Sequence, residues 1–252
     1  VVSFCIKSIP MKSSNHPEER TTPHETVDEL LEGRLKLIQS REGYRFSVDA
    51  LFLAEFVTVK PGDFLVDLGT GCGVIPLLLL ATKPLKHALG IEIQADLALQ
   101  AWKNAAANDR SREMDILLGD IRHPPFVSGT ADVVTCNPPY RKPDSGRINP
   151  NTSRAIARHE IFVSLEHILA AACHVLKKKG RFAMVYSAER LIDVMSQSRR
   201  FNLEPKRLQV VYPDLHSSAK IVLIEAVLDG NPGVKILPPI LGQGKYSISS
   251  PA

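Results

Sequence analysis

"VDLGTGCGVIPLLLLAT", residues 66–82, decides how the rest of the chain is read. Its opening residues close a short apolar run of strand length, 64–69, and its last nine begin a helix-sized apolar run. Between the two, Gly69, Gly71 and Gly73 alternate with Thr70 and Cys72. Glycine is needed where φ is positive or where a ligand must come close to the main chain, so the segment reads as strand, tight turn, helix. A dinucleotide fingerprint counted from Gly69 needs glycine at 74, where Val74 stands, and no P-loop lysine follows. A nicotinamide dinucleotide and a triphosphate are both disfavoured.

Outward from this turn the same alternation repeats. "HALGIEI" (87–93) leads into "ADLALQAWKNAAAN" (95–108), where Leu97, Ala98, Ala101, Trp102 and Ala105 share one helical face. "MDILLGD" (114–120) and "ADVVTCN" (131–137) read as further strands. Next comes a helix carrying Ile161, Leu165, Ile168, Leu169, Ala172 and Leu176, with Lys177, Lys178 and Lys179 placed at its negative end and Gly180 as its stop. "RFAMVYSA" (181–188), "ERLIDVMSQSR" (189–199), "RLQVVYP" (207–213) and "AKIVLIEAVL" (219–228) complete the series. Strands alternating with helices predict an α/β, Rossmann-like fold: a mostly parallel central sheet with helices on both faces. The last two runs are separated only by "DLHSS", too short for a crossover, so they are expected to form an antiparallel C-terminal hairpin at one edge.

Residues 1–25, rich in Ser, Pro, Thr and charge, read as a flexible tail, with Met11 an alternative start. Residues 26–252 read as one domain, in which 26–62 form an amino-terminal cap and closing element and 63–252 the core. Within the cap, "FSVDALFLAEF" reads as a short helix with Ser47 as N-cap. Four scattered cysteines form no CxxC pair, which argues against a zinc site or a disulfide framework and suits a reducing cytoplasm. The longest apolar run is too short to span a bilayer, and the amino end carries no signal-peptide pattern. No membrane and no metal are expected. The net charge of +4 is concentrated, since Arg141, Lys142, Arg147, Arg154 and Arg158 stand against only Asp144.

Three carboxylates accompany the glycine turn. Asp67 lies inside the first strand, Glu92 ends the second, and Asp120 ends the third. A carboxylate at the second strand end offers two acceptors to two vicinal hydroxyls, as in nucleotide-binding α/β folds. Asp120 is in position for a purine amino group. The set points to an adenosine-containing ligand. "NPPY", residues 137–140, follows the fourth strand; its two prolines remove two donors and freeze two φ angles, ending the strand in one stiff conformation.

"VDLGTGCG", "GIEI", "LGDI" and "NPPY", in this order, resemble the class I S-adenosylmethionine-dependent methyltransferases over roughly residues 40–230. The resemblance implies that Gly69, Thr70, Gly71, Cys72 and Gly73 wrap the methionine part of S-adenosylmethionine. It also implies that Glu92 holds the ribose, that Asp120 and Ile121 flank the adenine, and that Asp67, Ile93 and Asn137 border the same cofactor. "FSVDA" (46–50), with Phe46 and Asp49, resembles the element that closes over it. NPPY in such enzymes marks transfer to an amino or amide nitrogen. Asn137 and the Pro138 carbonyl would accept the two amino hydrogens, Pro139 would hold both acceptors rigid, and Tyr140 would stack on the planar acceptor. That positioning needs no catalytic base of special pKa.

"RAIARHE", with "GYRFSVDALFLAEF" and "HSSAKIVLIEA", resembles the bacterial tRNA1(Val) adenine N6-methyltransferase family, which implies a tRNA partner and a flipped adenine. Arg141, Lys142, Arg154 and Arg158 would then contact the RNA backbone, with His159, Lys206 and Arg207 as weaker candidates. Alternative acceptors of the same motif are a glutamine of a release factor (N5) and a guanine of rRNA (N2). The glutamine enzymes usually carry a separate helical amino-terminal domain, and only about 60 residues precede "VDLG" here. A noncatalytic RNA-binding module retaining a cofactor fold is a further alternative, against which the intact "VDLGTGCG" and "NPPY" both argue.

Overall fold

Strand β4 (Phe64–Leu68) is buried on both faces, which is why its sequence is nearly all apolar. The computed structural model describes residues 4–5, 24–42, 45–139 and 163–242. Flanking β4 are β5 (His87–Glu92), β6 (Met114–Leu118), β7 (Ala131–Cys136) and β8 (Leu176–Ser187), with β9 (Leu203–Tyr212) and β10 (Ile221–Leu228) beyond. Short strands β1 (Phe4–Cys5), β11 (Lys235–Ile236) and β12 (Ile240–Leu241) join the same sheet. Its order is β1-β6-β5-β4-β7-β8-β10-β9-β11, with β12 also on β9. The contacts among β4, β5, β6, β7 and β8 are parallel, whereas β10 runs antiparallel to both β8 and β9. The expected C-terminal hairpin therefore forms. β2 (Glu25–Leu30) and β3 (Leu35–Ser40) make a separate antiparallel hairpin.

Two apolar layers cover the sheet. On one face α1 (Val48–Phe56), α2 (Val74–Thr82) and α3 (Ala95–Ala107) pack over Leu65, Ala88 and Val133. On the other, α4 (Leu165–Val175) and α5 (Leu191–Arg200) pack over Val66, Leu68 and Val134. Neighbouring residues of one strand thus feed opposite layers, as the pleat requires. Pro76 is tolerated inside α2 because it falls in the first turn, where the helix needs no donor. Helix α4 begins with a capping box in which Ser164 accepts from the His167 amide.

Two expectations need correction, and a third is met in position only. The lysine run does not close a helix, because α4 stops at Val175 and Leu176 already begins β8. Leu176 pairs with Ala131 and Arg181 with Val133, so residues 177–180 bulge out of register. Lys177 there binds Asp132 at 2.8 Å, and Lys179 takes a φ of +63° and donates to the Asp229 carbonyl. Ser47 does occupy the N-cap of α1 but makes no side-chain capping bond. Of the expected tail, Phe4–Cys5 pairs antiparallel with β6 and residues 6–23, Met11 among them, lie outside the described residues.

Candidate active site

From β4 the chain moves outward through β5 and β6, then returns to place β7 on the other flank of β4. This reversal is a topological switch, and open α/β sheets bind ligands beyond the carboxyl ends of the strands that flank it. Leu68 is in register with Cys136. Gly69 and Asn137 therefore leave neighbouring strand ends roughly 5 Å apart, the spacing of paired strands.

The glycine turn is held by main-chain bonds. The Gly69 and Thr70 amides donate to the Ile91 carbonyl at 2.9 and 3.0 Å, and the Gly73 amide donates to Thr70 O at 2.9 Å. Gly73 is obligatory, since its φ is +82° and a Cβ there would lie 2.8 Å from Met114 Cε and 3.1 Å from Ala101 Cβ. Gly69, at φ +72°, would point a Cβ into space with nothing within 4 Å. The turn is packed behind and open in front.

Glu92 is 4% exposed; it accepts the Gly71 amide on Oε2 and the Gln94 amide on Oε1, both at 2.9 Å. Each oxygen keeps a lone pair for an incoming hydroxyl. Asp67 is buried and accepts from Thr135 Oγ1 at 2.6 Å on Oδ1. Asp67 Oδ2 and Thr70 Oγ1 have no hydrogen-bond partner and are shielded from solvent. Burial pushes the Asp67 carboxyl up to about 6, opposed by the Thr135 and Thr70 hydroxyls and reinforced by the Glu92 charge. The Thr70 hydroxyl favours the anion from nearby without meeting hydrogen-bond geometry. Two orphaned oxygens beside a glycine turn fit a ligand that brings its own donors, such as an ammonium group.

Ile93, beyond Glu92, is 43% exposed and offers an apolar surface. Ile121 is instead buried in the layer of α4 and α5, and Asp120 is engaged by Arg122 through Nε at 2.8 Å and Nη2 at 2.5 Å. The Arg122 guanidinium holds the Asp120 carboxyl below the usual range. Asp120 thus meets a neighbour two residues away where a purine amino group was expected. Asn137 and Pro138 are partly buried, and Pro139 is exposed. Tyr140, Arg141, Lys142, Arg154, Arg158 and His159 lie outside the described residues.

Phe46 and Asp49 are both buried at the start of α1. The Phe46 amide donates to Gln39 Oε1 at 2.9 Å. Gln39 in turn donates to Asp28, which also binds Arg45 at 2.7 Å. The far end of α1 is fixed by Glu225, which accepts the Thr58 amide at 2.7 Å and the Thr58 hydroxyl at 2.9 Å. Arg207 bridges Glu225 to the Phe56 carbonyl and covers the Phe56 ring at 4.6 Å, while Lys206 donates to Asn231 O at 2.9 Å. Lys206 and Arg207, the weaker RNA candidates, thus both have partners within the fold.

The hairpin's Asp28 and Gln39, and Asn104 on α3, escaped the sequence reading. The legible signal was Asn104 and Asn108, one helical turn apart in an alanine-rich helix. Among the described residues no three His, Cys, Asp or Glu gather as a metal would require, and no helix is long and apolar enough to cross a membrane.

The family profile of the methyltransferase small domain matches residues 47–198. A tRNA1(Val) (adenine(37)-N6)-methyltransferase of Porphyromonas gingivalis is 30% identical over 200 residues, covering 76% of this chain and 78% of its own. A protein of the same name from Phocaeicola vulgatus is 29% identical over 181 residues, covering 71% and 75%. In fold, the chain is similar to a predicted O-methyltransferase from Agrobacterium tumefaciens, with a TM-score of 0.62 at 15% identity over 80% of this chain and 91% of that one.

Proposed function

Because the chain belongs to the methyltransferase small domain family, we propose that it transfers a methyl group from S-adenosylmethionine to the N6 amino group of an adenine in tRNA. The observation that carries this reading is the adjacency of the glycine turn and the Asn137 turn at the β4–β7 switch, with Asp67 and Thr135 bonded across it. Donor and acceptor loops leaving neighbouring strands is what a direct transfer between two bound groups requires.

S-adenosylmethionine supplies an electrophilic methyl on a sulfonium. Asp67 Oδ2 and Thr70 Oγ1 would take the donors of its ammonium group, which matches their buried, unpartnered state. Glu92, anchored by the Gly71 and Gln94 amides, would accept the ribose hydroxyls with its remaining lone pairs, and Ile93 would lie against the adenine. Asn137 Oδ1 and the Pro138 carbonyl would accept both hydrogens of the substrate amine. Removing those hydrogens from the ring plane lets the nitrogen lone pair, otherwise delocalised, face the methyl. The acceptors are effective because the prolines fix them before reaction. Tyr140 would stack on the flipped adenine, and Arg141, Lys142, Arg154 and Arg158 would meet flanking phosphates. The proton leaves to water after transfer. A tRNA partner and reduced thiols suit the cytoplasm, where we place the protein.

The test is incubation with methyl-labelled cofactor and total tRNA, and in parallel with release factor, followed by digestion to nucleosides or amino acids. Label in N6-methyladenine supports the reading, and nuclease mapping then locates the nucleotide. Label in a release-factor glutamine, with RNA unlabelled, would move the assignment to the protein substrate.

A further inference from the structure

Strand β3 is tied to α3 by two asparagines that act as a substitute for a neighbouring strand. Asn108 accepts the Lys36 amide at 2.8 Å and donates to the Lys36 carbonyl at 2.6 Å. One turn earlier, Asn104 accepts the Ile38 amide at 2.6 Å and donates to the Ile38 carbonyl at 3.0 Å. Alternate residues of β3 therefore bond as they would in a ladder. A lone two-stranded hairpin is marginal in water, and these amides hold it against the domain together with Leu30, Leu35 and Leu37, which are buried in the core.

The two asparagines differ in one respect. Asn104, 0% exposed, spends its second amide hydrogen on the Cys72 carbonyl at 2.9 Å, inside the glycine turn. Asn108 instead gives its second hydrogen to the Asn104 carbonyl, within its own helix. The residue after Ile38 completes the link: Gln39, 1% exposed, accepts the Phe46 amide at the entrance to α1. Two consecutive residues of β3 thus hold the glycine turn on one side and the closing element on the other.

We propose that the β2–β3 hairpin is a positioning element of the cofactor site, and that Asn104 and Gln39 set the spacing between the glycine turn and Phe46. This rests on the reading that the glycine turn binds S-adenosylmethionine. With the Cys72 carbonyl pinned, the amides on either side of it keep one orientation, and a ligand that settles on the turn also tightens the hairpin. Neither residue touches the reacting atoms; they act on the affinity for cofactor.

The experiment titrates S-adenosylhomocysteine calorimetrically into the full chain and into the Asn104→Ala and Asn108→Ala variants. Loss of the Cys72 bond is expected to weaken binding by about tenfold in Asn104→Ala, the value of one buried hydrogen bond. Asn108→Ala, which loosens the hairpin alone, is expected to change it less than about twofold, and kcat at saturating cofactor is expected to stay within about threefold in both. Equal affinities in the two variants overturn the proposal, whereas no binding by the parent chain overturns the cofactor reading beneath it. Should Asn104→Ala fail to fold, hydrogen exchange on the parent decides. Saturating S-adenosylhomocysteine is expected to slow the Ile38 and Phe46 amides at least about tenfold, and unchanged exchange at both overturns the proposal.

Discussion

Thr135 donates its hydroxyl to Asp67 Oδ1 at 2.6 Å, joining the strand that ends in Asn137 to the strand that ends in the glycine turn. The bond occupies one carboxylate oxygen and leaves Oδ2 without a hydrogen-bond partner. It also restrains two strand ends whose separation sets the distance between donor and acceptor.

Cofactor affinity should depend on acid. The Asp67 carboxyl titrates at about 6 and must be ionised to receive an ammonium group. Affinity for S-adenosylhomocysteine is expected to be flat above about pH 7 and to weaken toward tenfold per pH unit below about 6. Calorimetry across pH 5–8 checks this; a flat profile that Asp67→Asn leaves unchanged removes Asp67 from the site.

Asp67→Asn should stabilise the ligand-free chain while impairing binding. The folded state raises this carboxyl from 3.8 to about 6, so it binds the proton more tightly than the unfolded chain. Its contribution to stability is therefore full below pH 3.8 and lost as pH rises through about 6. At pH 7.5 the buried charge costs on the order of 2–3 kcal/mol, which the neutral amide avoids. Denaturant unfolding without cofactor should show the gain at pH 7.5 and none at pH 4.

Asn137→Ala is expected to lower kcat by about 10²–10³-fold, the usual loss for one preorganised acceptor or donor, with cofactor affinity within about twofold. Turnover at the parent's rate would show that the turn after β7 does not hold the substrate nitrogen.

Changing Arg154 and Arg158 to alanine is expected to weaken tRNA binding most at low salt and to reduce the slope of log affinity against log salt by roughly one per lost phosphate contact. Filter binding from 50 to 200 mM salt would read this, and an unchanged slope would exclude both residues from the RNA surface.

Thiol labelling should follow burial. Burial pushes the Cys72 thiol up to about 12 and that of Cys136 well above its ordinary value, whereas Cys173, also raised by burial, is only partly covered and open to reagent. Of these three cysteines, with iodoacetamide at pH 8, Cys173 should be alkylated first, and Cys72 and Cys136 only after denaturation. Mass spectrometry of digests resolves the three.

The order of strands and helices was legible because strands buried on both faces must be nearly all apolar, as in "FLVDL" and "IVLIEAVL". The glycine turn was legible for a local reason, since positive φ at a strand end leaves few residue types able to serve. The lysine run misled because Leu176 continues the helical spacing of α4 and yet begins β8; periodicity alone does not separate the two. Asp120 pairs with Arg122, two residues on, a contact that spacing alone does not reveal. Asn104 shows in the sequence only as an asparagine one helical turn from Asn108, because its partners are main-chain groups 66 and 32 residues away that no side-chain pattern marks.

Along the outer side of β9, Lys235–Ile236 and Ile240–Leu241 run parallel to it, with the Leu237 amide on Leu208 O at 2.8 Å and the Gly242 amide on Tyr212 O at 2.7 Å. Pro238 and Pro239 stand between them and carry no amide hydrogen to offer. A ten-residue strand would otherwise present a template on which another copy could stack. Here that template is already occupied by the chain itself, and the occupying segment is interrupted by residues that no incoming strand can zip onto, so recruitment of neighbours into a growing fibre ends where it would begin.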